Sequence, residues 1–173
     1  TPFYIIYAKL PPSVSVSMVG VYLAGATLAS FASNLLWGRI SDRQGNKLLI
    51  ALSNSLGLFT PLIALSIAPL AGLLPGLREF TPGLFVLVFV LSSGSRSGAA
   101  IGNMNFLLEV ARADDRPLYI GFTNTIMGIA LLISSVGGLI VDLVGFTVLF
   151  SLALAFYALA LFLTLRLQEP RSC

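Results

Sequence analysis

Five long apolar runs decide what this chain can fold into. They extend over Val14–Trp37, Lys47–Pro69, Gly83–Leu108, Pro117–Val141 and Leu143–Leu167. A helix needs about 20 mainly apolar residues to cross the hydrocarbon core of a bilayer, and each run meets that length. The runs are Leu/Ala-rich and continuous, whereas the strands of a membrane barrel alternate over about 10 residues. Phe3-Tyr4-Ile5-Ile6-Tyr7-Ala8 is apolar but short, so residues 1–10 read as the end of a preceding span. Pro11-Pro12 then breaks the chain before the first full run. The fold class is therefore all-α: a polytopic transmembrane helical bundle with five full spans plus a partial one, residues 1–173 forming one unit. Composition agrees, with 57% of residues hydrophobic and 10% charged, against roughly 25% charged in soluble domains.

The charges that remain are distributed by topology. If the spans alternate in direction, one side of the membrane collects Arg39, Arg43, Lys47, Arg112, Arg116, Arg166 and Arg171, and the other only Lys9 and Arg78. Lys and Arg concentrate in cytoplasmic loops. The 39–47 loop, the 109–117 loop and the C-terminus are thus expected in the cytoplasm of a cell, in a multi-pass protein of the inner (plasma) membrane. The net charge of +3 follows from this loop pattern and gives no reason to invoke nucleic acid as a partner. The partner implied is the lipid bilayer. Trp37, Tyr119 and Tyr22 lie near span ends and read as interfacial anchors.

Several chemistries lack their residues. The chain has no histidine and one cysteine, Cys173. It offers no metal-ligand set, no disulfide and no serine–histidine pair. Gly94-Ser95-Arg96-Ser97-Gly98 does not have the Gly-x-Ser-x-Gly order of a nucleophile elbow, and no phosphate-binding Gly-x4-Gly-Lys-Ser/Thr loop is present. Neither a catalytic site nor a cofactor is expected. Every Asp and Glu falls in a loop or at a span end, so a proton-coupling carboxylate at membrane depth is not expected within this stretch.

Polar residues inside the spans carry the functional candidates. Arg96 lies mid-span in the third run. An arginine at that depth costs at least about 2.5 kcal/mol to insert and usually faces a bundle interior or a wet cavity. At 100° per residue, Ser92, Arg96 and Asn103 share one face of that helix, while Gly94, Gly98, Gly102 and Asn105 share the opposite one. The second face repeats small-xxx-small spacing, which lets another backbone approach closely. Two readings of Arg96 stand at this point: a ligand for an anionic or polar solute group, or a structural arginine bonded to neighbouring carbonyls. Asn34 and Asn124 join Ser92, Arg96 and Asn103 as cavity candidates if they face the same cavity as Arg96; alone, each asparagine reads better as interhelical glue. Ala26, Ser30, Asn34 and Gly38 form a small-residue stripe at spacing four. Gly137-Gly138 suits close packing near a helix end, before a short turn around Asp142 and Gly145.

The densest charge cluster of the first seventy residues is Gly38-Arg39-Ile40-Ser41-Asp42-Arg43-Gln44-Gly45-Asn46-Lys47, between the first two runs. A small residue, an acid, a base, a glycine and a base at fixed spacing form a tight charged joint between two membrane helices. Gly38-x-x-x-Asp42-Arg43-x-Gly45-x-Lys47 resembles the signature loop of the major facilitator superfamily, with Asn46 where the family often has arginine. A glycine-rich helix bearing a membrane arginine, the Gly137-Gly138 pair, Asp142 with Gly145-Phe146, and the ending Arg166-Leu167-Gln168-Glu169-Pro170-Arg171 are similar to the same family. The family's antiporter motif is poorly matched, with Ile129, Ile133 and Ser134 at its positions.

The resemblance implies the C-terminal six-helix half of a transporter, from the end of helix 7 through helix 12. It implies an N-terminal six-helix half of the same polypeptide as partner, and a small-molecule solute moved by alternating access around a midplane cavity. Helices 7, 8, 10 and 11 would line that cavity, and helices 9 and 12 would be peripheral. Gly38, Asp42, Arg43, Gly45 and Lys47 would form the conformational-switch loop, Asp42 capping a helix of the other half. A membrane scaffold or sensor with the same fold is the alternative.

Overall fold

The computed structural model describes residues 2–8, 16–73 and 75–169. The described residues form helices throughout: α1 (Pro2–Ala8), α2 (Val16–Gln44), α3 (Asn46–Leu73), α4 (Thr81–Val110), α5 (Arg116–Ser135) and α6 (Gly137–Arg166). Short 3-10 segments, Pro75–Phe80 and Ala113–Asp115, lead into α4 and α5. Among the described residues, five helices are long and apolar enough to cross a membrane, as the five runs predict. Pro82 and Pro117 sit in the first turns of α4 and α5, where the missing N–H has no intrahelical partner to lose. The expectations that rest on Lys9, Pro11-Pro12, Arg171 and Cys173 lie outside the described residues.

Two boundaries differ from the sequence expectation. First, α2 does not stop near Trp37. It continues as helix to Gln44, and Gly45 alone separates it from α3. Gly45 adopts φ +90°, a left-handed conformation open to glycine, and this single residue makes the joint. Second, α5 ends at Ser135 rather than near Val141, yet the chain does not reverse there. Val136 keeps helical angles (φ −65°, ψ −16°), and the Ile140 amide donates to its carbonyl at 3.1 Å. The reversal falls at Gly145, where φ is 84° and ψ 173°. A Cβ on Gly137 would lie 3.6 Å from Leu149 Cδ1, whereas twelve residues of straight helix span about 18 Å. The first residues of α6 therefore prolong α5, and residues 146–166 fold back along them.

The bundle is built around α4. One side of α4 packs against α3, the other against α2, and α6 packs on the outer side of α3. α5 touches α4 and α6 only lightly and buries none of its residues. The glycine face of α4 meets α3 and the Trp37 ring of α2: a Cβ on Gly98 would come within 2.8 Å of Ser53 Cβ and 2.9 Å of Trp37, and one on Gly102 would strike Leu49 and Ile50. Gly94 abuts Leu56 at 3.2 Å. At the end of the bundle where Gly145 lies, Tyr22 stacks on Phe89 (5.1 Å, 4°) and packs with Ile67, Phe85 and Val88. Tyr4 stacks on Phe150 at 5.0 Å nearby.

Tyr22 and Trp37 are thus buried inside the bundle and are not interfacial anchors, as their position near span ends had led us to expect. Tyr119 is the exposed one of the three. Gly138 also departs from expectation, since a Cβ there would meet nothing within 4 Å. The close packing belongs to Gly137, against the Phe3 ring at 2.9 Å.

Hydroxyls and amides inside the helices are bonded in two ways. Some turn back on their own helix: Thr27 to the Leu23 carbonyl, Ser55 to Ala51, Ser66 to Leu62, Thr125 to Gly121 and Ser134 to Ala130. Others cross between helices: Asn54 on α3 donates to the Thr164 hydroxyl on α6 at 3.1 Å, and several more converge on α4. Ser93 donates to the Ala26 carbonyl (2.7 Å), Ser95 to the Ser53 carbonyl (2.8 Å) and the Trp37 indole to the Gly94 carbonyl (2.9 Å). The Ser30 and Ser97 hydroxyls bond each other at 2.7 Å. A buried amide or hydroxyl without a partner is costly, so these bonds fix the register of α2 and α3 on α4.

Candidate functional site

α4 presents two unlike faces, and the site follows from the second. Opposite its glycine seam, Ser92, Arg96 and Asn103 turn toward a cleft between α2, α4 and α5, with a volume of about 880 Å³. α2 contributes Ala26 and Ser30, and α5 contributes Ile120, Thr123, Asn124 and Met127. Among the described residues, none of α3 or α6 lines it. Phe89, Met104 and Leu107 complete an apolar wall around the polar groups. Ser92 is buried in the wall, while Arg96, Asn103 and Asn124 are exposed. Arg96 is the charged residue of the lining. A concave, mostly apolar cleft with a few converging polar groups has the character of a small-molecule site.

Four of the five cavity candidates therefore come together: Ser92, Arg96, Asn103 and Asn124. Asn34 does not join them; it is exposed on α2 and outside the cleft lining. Arg96 stands at the cleft. The α5 contribution was missed apart from Asn124. Its signal was present, because Ile120, Thr123, Asn124 and Met127 recur at the i, i+3, i+4, i+7 spacing of one helix face.

A second polar assembly lies on the opposite face of α4, near its C-terminal end, around the joint at Gly45. Ser41, buried in the last turn of α2, donates to Asn46 Oδ1 at 2.6 Å. Asn105 Nδ2 donates to the Ser41 hydroxyl at 3.0 Å, tying α4 to the joint. Asn46 is fully buried, and its Nδ2 has no hydrogen-bond partner. The backbone N–H of Lys47, one of the orphan donors in the first turn of α3, donates to Glu169 Oε2 at 3.0 Å. The Glu169 carboxylate lies so close to Gly45 that a Cβ there would come within 2.6 Å of it. A carboxylate at a helix N-terminus is favoured by the helix dipole.

Glu169 was not foreseen as part of this assembly, since it follows the last span and is 122 positions from Lys47. Of the residues predicted for the switch loop, Gly45 and Lys47 make these contacts. Asp42 and Arg43 are exposed on the final turn of α2, and a Cβ on Gly38 would meet open space. The contacts of Ser41, Asn105 and Glu169 bring the joint, the far end of α4 and the segment after α6 to one end of the bundle.

The chain is a multi-pass membrane protein by its helices. No curated protein and no solved structure matches it. The model of the Major Facilitator Superfamily matches residues 2–172, almost the whole chain. With the helical bundle, the charged joint and the cleft described above, that match places the sequence plainly: the chain belongs to the Major Facilitator Superfamily, a family of membrane transporters.

Proposed function

We propose that this chain is the C-terminal half of a secondary transporter that moves a small organic solute by alternating access. The observation that carries the reading is the cleft between α2, α4 and α5, which gathers Arg96, Ser92, Asn103 and Asn124 at mid-helix depth. A membrane-embedded arginine is costly unless it meets water, a partner or a solute, and a cleft among spanning helices is where a solute is carried. α3 and α6 take no part in the lining, which fits peripheral, supporting helices. The N-terminal six-helix half of the same polypeptide supplies the facing wall.

In this reading the joint at Gly45 faces the cytoplasm together with the 109–117 loop and the segment after α6, as the distribution of Lys and Arg favours. Asp42 and Arg43, exposed on the last turn of α2, engage the other half in this reading. Gly45 joins that turn directly to α3, and the Lys47 N–H is held by Glu169. When the halves rock, this joint is the element whose contacts form on one side of the cycle and break on the other.

Thiol accessibility tests the reading. In a cysteine-free background of the full-length protein, Thr123→Cys places one thiol in the cleft. Oriented vesicles are then treated with a membrane-impermeant methanethiosulfonate reagent from each face in turn. An alternating-access transporter reacts from both faces. Reaction from one face only, under all solute and ion gradients tried, would identify a scaffold or sensor.

A further inference from the structure

The geometry points to a hidden end of the cleft. Phe89 is its movable end wall, and Tyr22, covered by Phe89 in this structure, is a further lining residue whose hydroxyl opens onto the cleft when Phe89 turns aside. This inference rests on the reading of the cleft as the solute's site and adds a residue to it.

The lining runs along both helices toward this point. On α2, Ala26 and Ser30 line the cleft, and Tyr22 stands one turn before Ala26 in the same i, i+4 row. On α4, Arg96, Ser93 and Ser92 line it, and Phe89 is the next lining residue toward the start of the helix. The two rows meet where the Phe89 and Tyr22 rings stack, their centroids 5.1 Å apart and their planes 4° from parallel. Phe89 borders the cleft, whereas Tyr22 is fully buried and outside the lining.

The Tyr22 hydroxyl is the reason to expect movement. It is buried without a hydrogen-bond partner, in a core formed with Ile67, Phe85, Val88 and Phe89. A buried tyrosine hydroxyl ordinarily finds a partner. Left unsatisfied, it costs stability that a phenylalanine of the same shape would not lose. The packed arrangement gains nothing from this hydroxyl, so its partner belongs to another arrangement. Among the described residues of that core, Phe89 is the one that lines the cleft. In a close-packed interior, a ring needs open volume beside it to turn, and Phe89 has it.

The helices need not move. Ser93 bonded to the Ala26 carbonyl, and Ser30 to Ser97, hold α2 on α4 one and two turns along from the stack. With Phe89 turned, the cleft lengthens by one helical turn, about 5.4 Å. It also gains a hydroxyl that both donates and accepts, which suits a solute carrying a hydrogen-bonding group at that end.

Fluorine NMR of the purified full-length protein in lipid nanodiscs tests the inference, with a ring-fluorinated tyrosine incorporated at Tyr22. A major signal indifferent to exchange into heavy water is expected from the covered ring, and a minor signal that shifts is expected from the uncovered one. Phe89→Ala removes the wall and should reverse their intensities. Tyr22→Phe keeps the ring, loses the unsatisfied hydroxyl and should raise the unfolding midpoint.

A Tyr22 signal indifferent to heavy water in both proteins, a shifting signal whose share Phe89→Ala leaves unchanged, or a Tyr22→Phe midpoint no higher than that of the wild type overturns the inference. If Phe89→Ala does not fold, the wild-type spectrum and the Tyr22→Phe midpoint decide. The two readings fail separately. A shifting Tyr22 signal with one-sided Thr123→Cys labelling removes transport and leaves the hidden end of the cleft, and two-sided labelling with an indifferent Tyr22 signal does the reverse.

Discussion

Replacing Gly45 with alanine tests whether the joint between α2 and α3 is held by the segment that follows α6. Two separate penalties are expected. The first is conformational: Gly45 has φ +90°, and an L-residue in the left-handed region costs roughly 1–2 kcal/mol. The second is steric. The new Cβ would sit 2.6–2.7 Å from the Glu169 carboxyl carbon and both its oxygens, so the carboxylate must withdraw. The Lys47 amide then loses its acceptor at 3.0 Å. Hydrogen bonds to charged groups are worth about 1.5–3 kcal/mol. Because Glu169 is only half-buried, screening by solvent favours the lower end.

The expected total for Gly45→Ala is about 2.5–3.5 kcal/mol. Glu169→Ala alone should cost about 1.5 kcal/mol. In the Glu169→Ala background, Gly45→Ala should cost only its conformational share, about 1–2 kcal/mol. The double-mutant cycle therefore closes with a coupling of about 1.5 kcal/mol. Unfolding in mixed micelles, followed by far-UV circular dichroism, measures each corner. Amide exchange at Lys47 provides a local readout, its protection falling in both single variants. Costs that add within about 0.5 kcal/mol, or an unchanged Lys47 amide, would refute the contact.

Two further outcomes follow from the packing. Gly138→Ala should be neutral or stabilise by up to about 1 kcal/mol, since the helix gains a better former in open space. Gly137→Ala should destabilise, because its Cβ would press on the Phe3 ring; comparing the two melting temperatures checks the pair. Ser41→Ala removes both the donor to Asn46 and the acceptor of Asn105. With the buried Asn46 amide and the half-buried Asn105 amide left short of partners, a loss of about 1–3 kcal/mol is expected, read as a lower unfolding midpoint.

What could be read from the chain alone was whatever has a local period. The apolar runs have the length of a bilayer, so the spans were legible. Ser92, Arg96 and Asn103 were placed on one face, and Gly94, Gly98 and Gly102 on the other, by the 100° helical step. Long-range contacts had no such signal. Nothing near Glu169 announces that its carboxylate will meet Gly45, because that contact depends on how α6 lies along α3. Asn34 lies four positions after Ser30, yet its neighbours left it outside the cleft. Helix ends were blurred for another reason: Gly38–Gln44 is polar and glycine-flanked, which suggests a loop, but without a breaker before Gly45 the α2 hydrogen bonds simply continue. Tyr22 and Trp37 were misjudged because nearness to a span end says nothing about which side of the helix faces lipid.

The way the hydroxyls and amides are bonded sets an order of assembly. During synthesis α2 and α3 leave the ribosome before α4. Thr27, Ser55 and Ser66 are satisfied by their own helices, so at these positions each helix enters lipid without a neighbour to accept its hydrogen bonds. The bonds that join α2 and α3 to the bundle through Ser30, Trp37 and the Ala26 and Ser53 carbonyls all end on α4. α2 and α3, tied to one another at the Gly45 joint through Ser41 and Asn46, therefore settle into the bundle only once α4 is translated. A ribosome stalled before Thr81 would leave a pair that has inserted and has not yet chosen its register.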